Sequence, residues 1–195
     1  MADAVLVPPA KPAADYPVLY RLESMKSQVK REAETDAARL LQATWGDAVP
    51  VDPVAIARIA GLRVLEAPLD ENTLGALVKQ PGQDPTILLN ESDSKNRRRF
   101  TCAHELGHFV RRSEEADEYT RVDLRNSLSA TGEEPEEVYA NEFAACLLMP
   151  EKEVRQLVQS GMSDLEMAIR FKVSREAMQF RLKNLGLMNT AAQGV

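Results

Sequence analysis
The chain has 195 residues, 44% of them hydrophobic and 28% charged, with a net charge of −6. That length and composition suit one soluble globular domain, with or without a small appendage, able to bury a core without staples. The negative balance argues against a protein that coats nucleic acid without specificity. Two cysteines, Cys102 and Cys146, make no disulfide framework. Reduced thiols, the lack of a signal peptide at the start and the lack of a membrane-length apolar run together predict a cytoplasmic protein with no membrane partner.

In chain order, residues 1–17 hold four of the eleven prolines and read as a flexible leader. A helix is expected over about 19–45, with Leu22, Met25, Val29, Ala33, Ala37, Leu40 and Leu41 as its apolar stripe. Asp52-Pro53 opens a short helix that Gly61 ends. Leu62 to Leu65 reads as a strand. Leu74 to Lys79 and Thr86 to Leu89 flank a Pro/Gly-rich turn and read as a hairpin. A helix is expected from Ser92–Ser94 to about Arg112. Residues 113–134 are acidic and read as a solvated loop, with a rim over an active cleft as the alternative. Another helix runs from Pro135 to Met149, where Pro150 stops it. Residues 151–195 hold two or three shorter helices. The expected fold is α+β: a mostly helical core over residues 18–150 with a small antiparallel sheet or hairpin, then a C-terminal helical subdomain over 151–195.

The two histidines of the chain lie four apart, in His104-Glu105-Leu106-Gly107-His108. A helix puts positions i and i+4 on one face, with Cβ atoms roughly 5–6 Å apart. Two imidazoles so placed can reach one metal ion, and Glu105 between them is placed as a general base. A catalytic zinc takes three protein ligands, so with no third histidine the remaining one is sought among the acids. Glu137 extends the apolar stripe of Ala140, Phe143, Ala144, Leu147 and Leu148. A carboxylate on the core side of a helix needs a partner, which a metal supplies. Glu142 points about 140° away by the 3.6-residue repeat and is the alternative ligand. Asn141 shares the face of Glu137 and is placed to hydrogen-bond a ligating histidine. Cys102 and Cys146 read as small buried side chains.

Arg99-Phe100-Thr101-Cys102-Ala103-His104-Glu105-Leu106-Gly107-His108-Phe109 resembles the signature of ImmA/IrrE-type metallopeptidases. The stretch Glu137-Val138-Tyr139-Ala140-Asn141-Glu142-Phe143-Ala144-Ala145-Cys146-Leu147-Leu148-Met149-Pro150 is similar to the second signature block of that family. The resemblance covers about residues 45–190. It implies a gluzincin-like peptidase with Glu137 as third ligand, Zn²⁺ as the metal and Mn²⁺ as the alternative. It also implies a protein substrate, a helix-turn-helix transcriptional repressor whose cleavage turns on its genes, as in stress responses. Many members carry an N-terminal helix-turn-helix, for which residues 1–44 are too short and proline-rich.

Tyr119, Arg121 and Tyr139 are candidate donors to the oxyanion of peptide hydrolysis. Residues 151–195 carry seven Lys/Arg and five Asp/Glu. Residues 163–187 resemble a helix-turn-helix, with Arg175, Gln179 and Lys183 facing outward. DNA binding through them is the less favoured reading, because the charge is modest for phosphate contacts. A non-catalytic partner of a repressor or of a toxin–antitoxin pair is another alternative. An intact Glu105 argues against it.

Overall fold
A computed structural model of the chain describes residues 17–112, 119–124 and 134–188. Most of the expected leader therefore lies outside the described residues, as do the flanks of the expected acidic loop. Seven helices and four strands are found among the described residues. The α+β architecture is the one the sequence predicts.

Helix α1 spans Pro17–Thr44. Val29, Ala33, Ala37 and Leu41 recur every four residues and are buried, whereas Met25 is exposed. The small alanines let α1 pack against the later helix α4 (Pro135–Leu148). Helix α2 spans Pro53–Ile59. Asp52 caps it by accepting from the Val54 and Ala55 amides at 3.0 and 3.3 Å.

The sheet is mixed, in the order β1-β3-β2-β4, with β1 Arg63–Ala67, β2 Thr73–Lys79, β3 Thr86–Asn90 and β4 Tyr119–Leu124. β2 and β3 form the expected antiparallel hairpin, with Gly75 opposite Leu89 and Val78 opposite Thr86. Two features differ from expectation. β1 pairs in parallel with β3, Arg63 opposite Thr86 through Ala67 opposite Asn90, so the sheet is not purely antiparallel. β2 lies on the far side of β3 from β1 and runs against both. Tyr119–Leu124, expected within a solvated loop, forms a strand antiparallel to β2. Tyr119, Thr120 and Val122 are residue types that favour strands, despite the acidic neighbourhood.

Helix α3, Lys95–Arg112, lies between the sheet and α4. Every residue from Thr101 to His108 is buried, as in a helix covered on all sides. Its one-sided approaches are set by glycines. A β-carbon on Gly75 of β2 would stand 2.5 Å from Thr101 Cγ2 and 3.2 Å from Glu105 Oε1. Only glycine lets the strand pass that close to α3.

The C-terminal helices are α5 Glu151–Gln159, α6 Asp164–Phe171 and α7 Arg175–Asn184. Their Val154, Met167, Phe171, Met178 and Leu182 belong to the same buried cluster as Leu106 and Phe143. Arg99 of α3 donates to the carbonyls of Val51, Phe171 and Lys172. Arg181 donates to the Met149 carbonyl at 3.0 Å. Of the expected outward set on α7, Arg175 is exposed and Gln179 half-buried. Lys183 is exposed. Arg175 and Gln179, however, both donate to the Asp164 carboxylate, at 2.9 and 3.1 Å for Arg175 and 2.6 Å for Gln179. No described helix is long and apolar enough to cross a membrane.

Candidate metal centre
His104 and His108 stack on one face of α3, 0% and 1% exposed, with their Nε2 atoms 3.0 Å apart. Glu137 comes from the first turn of α4. Its Oε2 lies 3.5 Å from His104 Nε2 and its Oε1 lies 3.6 Å from His108 Nε2. The two helices can approach because α3 carries Gly107 where it meets Ala140 and Phe143. Asn141, one turn after Glu137, places Oδ1 3.0 Å from His104 Nδ1. With the proton on Nδ1 and donated to that amide oxygen, Nε2 keeps its lone pair toward Glu137.

The donor set fits a divalent transition metal. One ligand atom from each of these three buried residues lies within 4.8 Å of the others. Two imidazoles and a carboxylate are the chemistry of a catalytic zinc site. Glu137 Oε2 is buried and has no hydrogen-bond partner among the described residues. Arg121 pairs with the other oxygen of this carboxylate, so Oε2 is the atom left open for a metal. Glu105 is 0% exposed and turns toward Thr101 and β2.

Glu142, the alternative ligand, lies elsewhere. Its carboxylate meets Arg181 Nη1 at 3.4 Å, Lys30 Nζ at 3.6 Å and the Cys146 thiol at 3.6 Å. The helical repeat that carries it away from Glu137 turns it into a buried ion pair instead. Glu142 and Cys146 form a second acidic group with exposed Glu34, but two cations already serve it. Burial pushes both cysteine thiols up to about 12, as expected of small core side chains.

The three candidate oxyanion donors separate. Tyr139 faces α1, where its hydroxyl donates to Asp36 Oδ2 at 2.8 Å and Arg111 covers its ring at 4.7 Å. Burial, followed by the Asp36 hydrogen bond, raises its phenol. It is committed away from the histidines. Tyr119 sits opposite Lys79 on β4, its hydroxyl buried without a hydrogen-bond partner among the described residues. Arg121 reaches the centre, but through carboxylates: its guanidinium pairs with Glu137 Oε1 and donates to Glu136 Oε2 at 3.1 Å. Arg112, in the last turn of α3, pairs with the same Glu136 oxygen. That bond and the surrounding arginines hold the Glu136 carboxyl below its usual range. The role of Arg112 and Glu136 is not among the sequence expectations. Basic residues ending one helix and adjacent acids starting another are the only signal for it.

The family model for the IrrE N-terminal-like domain, a peptidase domain, matches residues 57–183. No curated protein matches the chain. The matched span is more than half of the chain and holds both histidines, Glu105 and Glu137. With its metallopeptidase-type function, the chain belongs to the IrrE N-terminal-like peptidase family.

Proposed function
We propose that the protein is a zinc endopeptidase, with manganese as the alternative metal, in which His104, His108 and Glu137 are the ligands and Glu105 is the general base. The observation that carries this reading is the convergence of three buried donors from two helices, at 3.0, 3.5 and 3.6 Å, with a fully buried carboxylate one residue from the first histidine. Zinc held there supplies Lewis acidity to a peptide carbonyl and lowers the pKa of water toward about 7.

Glu105 takes the proton of the attacking water and returns it to the leaving amine nitrogen. Asn141 fixes the His104 ring through Nδ1. Among the described residues, strand β4 is an edge strand, paired on one side to β2. Arg121 ties it to Glu137. An extended peptide adding to that edge would pair with the strand that Arg121 links to the Glu137 ligand.

Membership of a peptidase family makes a protein the substrate class. We read the target as a helix-turn-helix repressor in the cytoplasm, cut to release its genes. Residues 151–195 act as a helical subdomain that braces 18–150 and meets the target. The likeness of the two signature blocks to regulatory peptidases supports the target, and the free cysteines fit the compartment. The commitment of Arg175 and Gln179 to Asp164 weighs against base reading by α7.

Metal content per chain tests the ligand set. Wild type and Glu142→Gln are expected to retain zinc through dialysis, and Glu137→Ala to lose it. Retention in Glu137→Ala with loss in Glu142→Gln would reverse the assignment.

A further inference from the structure
Both oxygens of Glu137 face the histidines, but only Oε1, 3.6 Å from His108 Nε2, is also held by the Arg121 guanidinium. Oε2 is buried, accepts no hydrogen bond among the described residues, and faces His104 Nε2 at 3.5 Å. Arg121 is itself fixed from behind. Its other amino group donates to Glu136 Oε2 at 3.1 Å, and Arg112 grips that same oxygen. The arrangement joins the end of α3, the edge strand β4 and the first turn of α4. Arg121 is only 17% exposed and Glu137 11%, counted over the side chains. A planar guanidinium gripping one carboxylate oxygen restricts the rotation of that carboxylate, as a point charge on a flexible stem does not.

We propose that Arg121 is a positioning residue for metal binding, holding Glu137 Oε1 so that Oε2 is the oxygen offered to the metal. The inference rests on the ligand assignment made above. It gives Arg121 a role other than oxyanion donor. Two rival roles give different readouts. A mere competitor for Glu137 would weaken metal binding, so its removal would tighten it. A mere anchor for β4 would leave the affinity of a folded variant where it was.

The test uses the full chain, stripped with chelator and titrated with Zn²⁺ against a chromophoric chelator, then with Co²⁺ read by visible absorption. Circular dichroism confirms the fold of each variant. Arg121→Gln is expected to bind Zn²⁺ about 10–100-fold more weakly, the usual loss when an outer partner of a ligand is removed. Its Co²⁺ absorption should weaken, because a released carboxylate can offer both oxygens and raise the coordination number. Arg121→Lys should recover part of the affinity, since it keeps the charge and loses the fork. Unchanged or tighter binding in a folded Arg121→Gln overturns the proposal. Should that variant not fold, Arg121→Lys decides: a wild-type Co²⁺ spectrum and affinity overturn it. Wild type that takes up neither ion defeats the ligand assignment first, a result distinct from any difference between variants, and the proposal falls with it.

Discussion

A β-carbon on Gly107 of α3 would stand 3.2 Å from the Ala140 α-carbon of α4 and 3.0 Å from Phe143 Cδ1. Gly107 lies between the two histidines, and Ala140 lies between Glu137 and Asn141's turn. A close approach of the two helices is therefore also the gauge of the candidate metal centre. Helical Gly→Ala ordinarily gains about 1 kcal/mol through propensity. Here the added methyl meets backbone and a fully buried ring, and overpacking costs about 1–3 kcal/mol. Gly107→Ala is expected to lower thermal stability slightly or leave it level, and to weaken zinc binding as α4 gives way. Calorimetry with a zinc titration checks both. A gain of stability with wild-type zinc affinity would show that the helices have room to spare.

Asn141 makes a single-atom demand on His104, at 3.0 Å from Nδ1. Asn141→Ala removes the acceptor without adding bulk. The ring then loses both its orientation and the bias toward the Nδ1-protonated tautomer. Zinc affinity is expected to fall about 10–100-fold, with the fold kept. Chelator competition measures it. Undiminished affinity would reduce the amide to a helix-face side chain.

The Arg175 hydrogen bond, with that of Gln179, holds the Asp164 carboxyl below its usual range. A carboxyl lowered in the folded state stabilises the protein above the unfolded value, about 3.9, and that contribution is lost as pH falls through the lower folded value. Asp164→Asn is therefore expected to melt lower at pH 7. The pair is partly exposed, so the loss is held to about 0.2–1 kcal/mol, or up to about 2–4 °C at this size. The gap from wild type should close as pH drops below about 4. A gap that persists at acid pH would place the effect in packing rather than charge.

Periodicity makes α1 legible in the sequence, because Val29 through Leu41 have only one way to bury a face; α4 is buried nearly all round and is marked instead by its apolar run between Pro135 and Pro150. The hairpin is legible from the Pro/Gly turn between Lys79 and Thr86. The grouping of Glu137 with the histidines follows from the apolar stripe that it extends, and the turning of Glu142 toward Arg181 follows from the angle between the two acids. Pairing across the chain is not legible in this way. Nothing local in Arg63–Ala67 specifies a parallel neighbour, and Tyr119–Leu124 is masked by the acids before it. The Arg121–Glu137 contact depends on that strand, so the place of Arg121 beside Glu137 is not legible in the sequence either. The Tyr139 hydroxyl is likewise committed by a distant partner, Asp36, 103 residues away in sequence.

Glu105→Gln is the most direct test of the central claim, because it exchanges a base for an amide of the same shape between the two histidines. Wild type and variant would be compared for bound zinc by mass spectrometry of the metal, and for cleavage of a co-expressed helix-turn-helix repressor by gel, with and without chelator. The account expects equal zinc in both proteins, chelator-sensitive cleavage in wild type, and loss of cleavage in Glu105→Gln. Wild-type cleavage by a zinc-loaded Glu105→Gln would contradict it.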